Sequence, residues 1–221
     1  AQTIAGGAGT DTLVYSGAAA ASTATANITG FERVVMDAGV SFALATSDLT
    51  YSVAAGGTYT SLAAGATVNL RAGGSLTLAN TALTGTSDAV TFNVGTSTTA
   101  GTTGATIAAG THDVVTVNAL TRSDTLATAS ASYSVSGTTL STVTITAPHA
   151  VTLSGGGAAL TRIDASGVTG AFTNSATVST TAALTVTGGA GNDAITGGTL
   201  GDSLVGGAGD DTITGGIGAD T

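Results

Sequence analysis

Residues 188–221 read GGAGNDAIT (188–196), GGTLGDSLV (197–205), GGAGDDTIT (206–214) and GGIGADT (215–221). The register is strict. Asp193, Asp202, Asp211 and Asp220 stand nine apart, and Ile195, Leu204 and Ile213 hold a shared apolar position. The unit is G-G-x-G-x-D-x-U-x, with U a large apolar residue; Leu200 replaces one glycine. Another copy, GGAGTDTLV, occupies residues 6–14, with Asp11 and Leu13 at the two marked positions.

Each unit divides its nine residues between two tasks. The glycines permit positive φ and close backbone approach, so the first six residues form a tight turn. The last three form a short strand whose central side chain points inward. Two units then complete one turn of a flattened right-handed coil, and each loop lies over the loop two units later, about 4.8 Å away. On this geometry Asp193 faces the loop of Asp211, and Asp202 the loop of Asp220; Asp11 calls for a partner loop upstream.

Carbonyls and carboxylates converging between stacked loops offer only oxygen. Calcium takes about 6–8 oxygen ligands at about 2.3–2.6 Å. The expected metal-binding positions are therefore Asp11, Asp193, Asp202, Asp211 and Asp220, with the turn glycines Gly188, Gly191, Gly197, Gly206, Gly209, Gly215 and Gly218. Asp193, Asp202, Asp210, Asp211 and Asp220 crowd into 28 residues. Without a cation they repel one another, so folding and metal binding are expected to be coupled. Extracellular calcium modules bind at roughly 10⁻⁴–10⁻³ M, an affinity that favours folding outside the cell.

Composition narrows the partners. The 221 residues include 34 glycines, one proline, four arginines, no lysine, no cysteine and no tryptophan, with a net charge of −9. A phosphate-binding face needs clustered basic residues, and Arg33, Arg71, Arg122 and Arg162 are scattered, which argues against nucleic acid and anionic membranes. No apolar run is long enough for a transmembrane helix, and no signal peptide is visible.

Upstream of the repeats, apolar residues alternate with Thr, Ser or Asn. Examples are Leu76–Leu78, Val90–Val94, Val115–Val117, Val143–Thr146, Val151–Leu153 and Leu184–Thr187. Short strands with glycine corners predict an all-β fold, a parallel β-roll or β-helix with an irregular solenoid between residues 15 and 187. An antiparallel β-sandwich in that middle region is the alternative. The expected organisation is a repeat stub (1–14), the middle region (15–187) and the nonapeptide repeats (188–221), together a piece of a longer chain.

Other sites carry less. Gly85-Thr86-Ser87-Asp88-Ala89-Val90 and Gly110-Thr111-His112-Asp113-Val114-Val115 share G-T-x-D-x-V, a loosened version of the repeat turn. Asp88 and Asp113 are thus further calcium candidates or aspartates that close a turn through backbone N–H groups. His112 and His149 are read as surface-loop residues, and the arginines as partners of aspartates on adjacent coils. No G-x-S-x-G, H-E-x-x-H or cysteine is present, and Glu32 is the only glutamate, so no enzyme activity is expected.

The repeats resemble those of the RTX-type proteins of Gram-negative bacteria, whose nonapeptide binds calcium. The whole chain looks like the large S-layer proteins that carry RTX arrays. Two middle segments support this likeness: Ile28-Thr29-Gly30-Phe31-Glu32-Arg33-Val34-Val35-Met36, and residues 160–170, Leu-Thr-Arg-Ile-Asp-Ala-Ser-Gly-Val-Thr-Gly. The resemblance implies type I secretion through a signal beyond Thr221, an extracellular location and calcium-dependent self-association into a sheet or filament, with cell-surface polysaccharide as a candidate ligand. An RTX adhesin, or the non-catalytic repeat domain of an RTX enzyme, is the alternative.

Overall fold

Val115, Val117 and Ala119 are buried while Val114, Thr116 and Asn118 are only partly covered, and the same alternation runs through Ala131–Ser136 and Thr142–Ala147. A period of two on β-branched residues is what a strand with one inward face requires. A computed structural model describes residues 130–176 and 178–221, and upstream the segments 3–5, 8, 12–15, 27–29, 33–36, 42–43, 50–53, 57–60, 66–70, 74–79, 88–94, 104–109, 111 and 113–119.

Among the described residues every strand pairing is parallel. The first sheet runs through Thr12–Tyr15, Arg33–Met36, Thr50–Val53, Ala66–Leu70, Ala89–Val94, Val114–Ala119, Thr142–Ala147, Arg162–Val168, Thr185–Thr187 and Ser203–Val205. The second runs through Phe42–Ala43, Gly57–Thr60, Gly74–Ala79, Gly104–Ala108, Ala131–Ser136, Val151–Gly156, Phe172–Asn174, Ala194–Thr196 and Thr212–Thr214. Thr3–Ala5 pairs with Asn27–Thr29. From Arg33 onward successive strands alternate between the two sheets, so the chain coils and the fold is a β-solenoid. The β-sandwich alternative is thereby overturned. An antiparallel insert would join neighbouring strands by hairpins, whereas here each strand pairs with the one two steps later.

One hydrophobic cluster, drawn from both sheets, fills the coil from Val68 to Leu204. Its side chains form files along the solenoid. Val90, Val115, Val143, Ile163, Val186 and Leu204 occupy one in-register position of the first sheet. On the outer face, Asn118 Nδ2 donates to Asn93 Oδ1 (3.0 Å) and Thr146 Oγ1 donates to Asn118 Oδ1 (2.9 Å). Such ladders satisfy side-chain amides against the next coil.

The ladder shifts by one residue between Thr144–Thr146 and Asp164–Gly167. At this bulge Arg162 bonds Asp164 at 3.0 Å. The arginine's partner is thus on its own strand, two residues away, and not on an adjacent coil as expected. Residues i and i+2 share a strand face, which brings the two side chains together. Asp164 Oδ1 also accepts from Ser166 Oγ (2.7 Å) and Ser166 N (3.2 Å). The Ser166 hydroxyl, then its backbone N–H and Arg162, hold this carboxyl below its ordinary value against an opposing contribution from burial.

Candidate metal centre

In the first three units of residues 188–221 the aspartate stands immediately before its strand, at the end of the glycine turn. Asp193 precedes Ala194–Thr196, and Asp202 precedes Ser203–Val205. Their carboxylates close the turns from within. Asp193 Oδ2 accepts from Gly189 N (2.7 Å), and Asp202 Oδ2 from Gly198 N (2.5 Å). The other oxygen reaches back one coil. Asp193 Oδ1 accepts from Phe172 N (2.7 Å), and Asp202 Oδ1 from Leu184 N (2.8 Å).

The next two units repeat that reach. Asp211 Oδ1 accepts from Asp193 N, and Asp220 Oδ1 from Asp202 N, each at 2.9 Å. Two carboxylate files result: Asp193 and Asp211 on the second sheet, Asp202 and Asp220 on the first. Asp193 and Asp202 are each 2% exposed. Asp211 is half-buried and Asp220 exposed.

The glycines are required for two separate reasons. At the first glycine of a unit the reason is space. A Cβ on Gly188 would collide with the Gly206 carbonyl oxygen and with Asp193 Oδ2; a Cβ on Gly206 would collide with the Asp211 carboxylate. Gly197 and Gly215 repeat this arrangement with Asp202 and Asp220. In the later two turns conformation is a further reason: Gly207 and Gly209 have φ of 113° and 120°, a region that L side chains rarely adopt.

Among the sites named from sequence, the structure thus brings Asp193, Asp202, Asp211 and Asp220 into two files with Gly188, Gly197, Gly206 and Gly215 beside them. Gly191 and Gly209 approach each other one coil apart, and Gly218 lies against Leu200 and Gly201. Asp11 and His112 lie outside the described residues. His149 sits in the turn between Thr142–Ala147 and Val151–Gly156, half-buried, and burial lowers its imidazole below the ordinary value. Sequence reasoning missed the donors that fix the carboxylates: Gly189, Gly198, Phe172 and Leu184 act through backbone N–H groups. The second glycine of the repeat was the available sign for the first two.

The donor set fits a hard cation. Next to Gly188 and Gly197 a carboxylate and a carbonyl oxygen meet, and next to Gly206 and Gly215 a carboxylate oxygen, with no sulfur or side-chain nitrogen among these nearest groups. No arginine, lysine or histidine occurs after Arg162, so nothing basic in the repeats balances the carboxylates. Among the described residues no three Asp, Glu, His or Cys side chains gather at one point. Carbonyls must then supply most of the shell, which suits calcium and not zinc.

Residues 185–204 and 196–221 match the family model of the RTX calcium-binding nonapeptide repeat (4 copies). Neither a curated protein nor a solved structure matches the chain.

Proposed function

We propose, from the RTX-type repeats that this chain carries, that it folds on calcium outside the cell and serves as a structural S-layer component. One observation carries the calcium part: the two files Asp193–Asp211 and Asp202–Asp220 stack carboxylates one coil apart with no basic residue beside them. In this reading the four aspartates, with the carbonyls around Gly188, Gly197, Gly206 and Gly215, hold the ions, and bound calcium supplies the positive charge that the sequence omits. Gly191, Gly209 and Gly218 shape the turns, and Asp11 does the same work in the unit at residues 6–14.

The structural role is supported by the architecture. Parallel sheets continue coil after coil and suit a rod that presents repeated surface.

Circular dichroism of the chain in calcium and in chelator tests the first part. Strand signal and melting midpoint should fall on chelation; a spectrum and midpoint indifferent to chelator would sink it. Electron microscopy in calcium tests the second. Ordered arrays or filaments support an S-layer subunit. Dispersed calcium-folded monomers would reject it in favour of the repeat domain of an RTX adhesin or secreted enzyme.

A further inference from the structure

The position that holds Asp202 and Asp220 can be followed back along the first sheet. It is the residue immediately before each strand. The register Ala89–Val114–Thr142–Arg162–Thr185–Ser203 places Asp88, Asp113, Ser141, Thr161, Leu184 and Asp202 in a single file. Asp220 continues it, since Thr221 N donates to Asp202 O. Aspartate pairs on consecutive coils therefore occur at both ends of the described file, Asp88 with Asp113 and Asp202 with Asp220.

The two pairs share more than position. Asp113 Oδ2 accepts from Asp88 N (3.4 Å), the same backward reach by which Asp220 accepts from Asp202 N. Asp88, Asp113 and Asp202 are each followed by the same D-x-apolar step, with Val90, Val115 and Leu204 buried at its end.

Asp113 is 7% exposed. That long bond is the only one its carboxylate makes among the described residues, and its second oxygen has no partner there. A buried carboxylate so poorly supplied is costly unless a charge or further hydrogen bonds compensate it. The in-register Asp88 brings a second acidic group to about one strand spacing away, which increases the cost. The neighbouring coils carry oxygen-bearing groups: the Asp88 carbonyl, which accepts from Asp113 N (2.9 Å) and Val114 N (3.2 Å), and Ser141 Oγ, which donates to the Asp113 backbone carbonyl at 3.0 Å.

We infer that Asp113, with Asp88, forms a further binding site for a hard divalent cation, calcium, within the middle solenoid. The site lies outside residues 185–221, where the family match falls. It shares with the repeat reading the identity of the ion and none of its residues.

Equilibrium dialysis of the full chain at about 1 mM free calcium tests it. Asp113→Asn and Asp88→Asn should each hold one ion fewer than wild type. The double variant Asp211→Asn/Asp220→Asn should lose ions from the repeats and keep this one. Wild-type ion counts in both single variants would overturn the site. Should the double variant keep the full count while Asp113→Asn loses an ion, the repeat reading falls and this site stands. Where Asp113→Asn lacks the wild-type dichroism spectrum, Asp88→Asn decides. A measurement on wild type needs no variant: manganese used as the probe should broaden the amide resonances of Asp88, Asp113 and Ser141, and sharp resonances there would also overturn the site.

Discussion

The backbone N–H of Phe172 donates to Oδ1 of Asp193 across 2.7 Å, so a buried carboxylate rests directly on the last apolar member of its file. Ala131, Val151 and Phe172 occupy that position on the preceding coils, and Asp193 and Asp211 take it over. On the other sheet Leu184 lies beneath Asp202 in the same way, but it follows a polar run of Asp88, Asp113, Ser141 and Thr161 in its file. The hydrophobic solenoid thus provides the floor on which the charged coils are built.

Phe172 is fully buried, and its removal should be felt on both sides of that junction. Phe172→Ala is expected to destabilise the chain by about 3–5 kcal/mol through lost burial and the cavity left behind. Urea denaturation in saturating calcium checks this. A loss below about 1 kcal/mol would mean that Phe172 does not support the neighbouring coil.

Gly207 combines a φ of 113° with a close approach to the Gly189 carbonyl of the preceding coil. Gly207→Ala should cost at least the roughly 1–3 kcal/mol of a residue forced into that backbone region. The exposed Ala190→Ser serves as control and should stay within about 0.5 kcal/mol of wild type. Melting both variants in saturating calcium reads the difference, and equal midpoints would reject the tight turn.

His149 gives the fold a pH dependence of known sign. Burial lowers its folded value below the unfolded value of about 6.5, so the unfolded chain takes up a proton more readily. Stability from this residue is present above the unfolded value and is lost as pH falls through the folded one. In saturating calcium the wild-type midpoint should fall between about pH 7.5 and 5.5, around the ordinary imidazole range. His149→Gln should flatten that part of the profile. Parallel profiles for the two proteins would rule the imidazole out as the cause.

The nine-residue turn-and-strand unit was legible from the spacing of glycine, aspartate and one apolar position, and two units per coil went with the resemblance to RTX repeats. The alternating runs Val90–Val94, Val115–Val117 and Val143–Thr146 likewise appear as strands. Coil length in the middle was not legible. Val186 and Leu204 are paired at a separation of 18 residues, but Val115 and Val143 at 28. The ladder fixes which strands pair, while the loops between them vary in length, so apolar spacing carries no constant period. In the candidate site the aspartates could be read and their donors could not, because the amides of Phe172 and Leu184 leave no side-chain signature. The common file of Asp113 and Asp202 was hidden by the variable loops: four coils of unequal length separate them.

The eighteen-residue offset that pairs Ala194 with Thr212 and Thr185 with Ser203 makes the array sensitive to odd and even. Excising a single nonapeptide would send each later strand to the opposite wall of the coil and bring together aspartates that now belong to separate rows. Excising two would merely shorten the rod. Changes in the length of such an array are therefore expected to come in doublets.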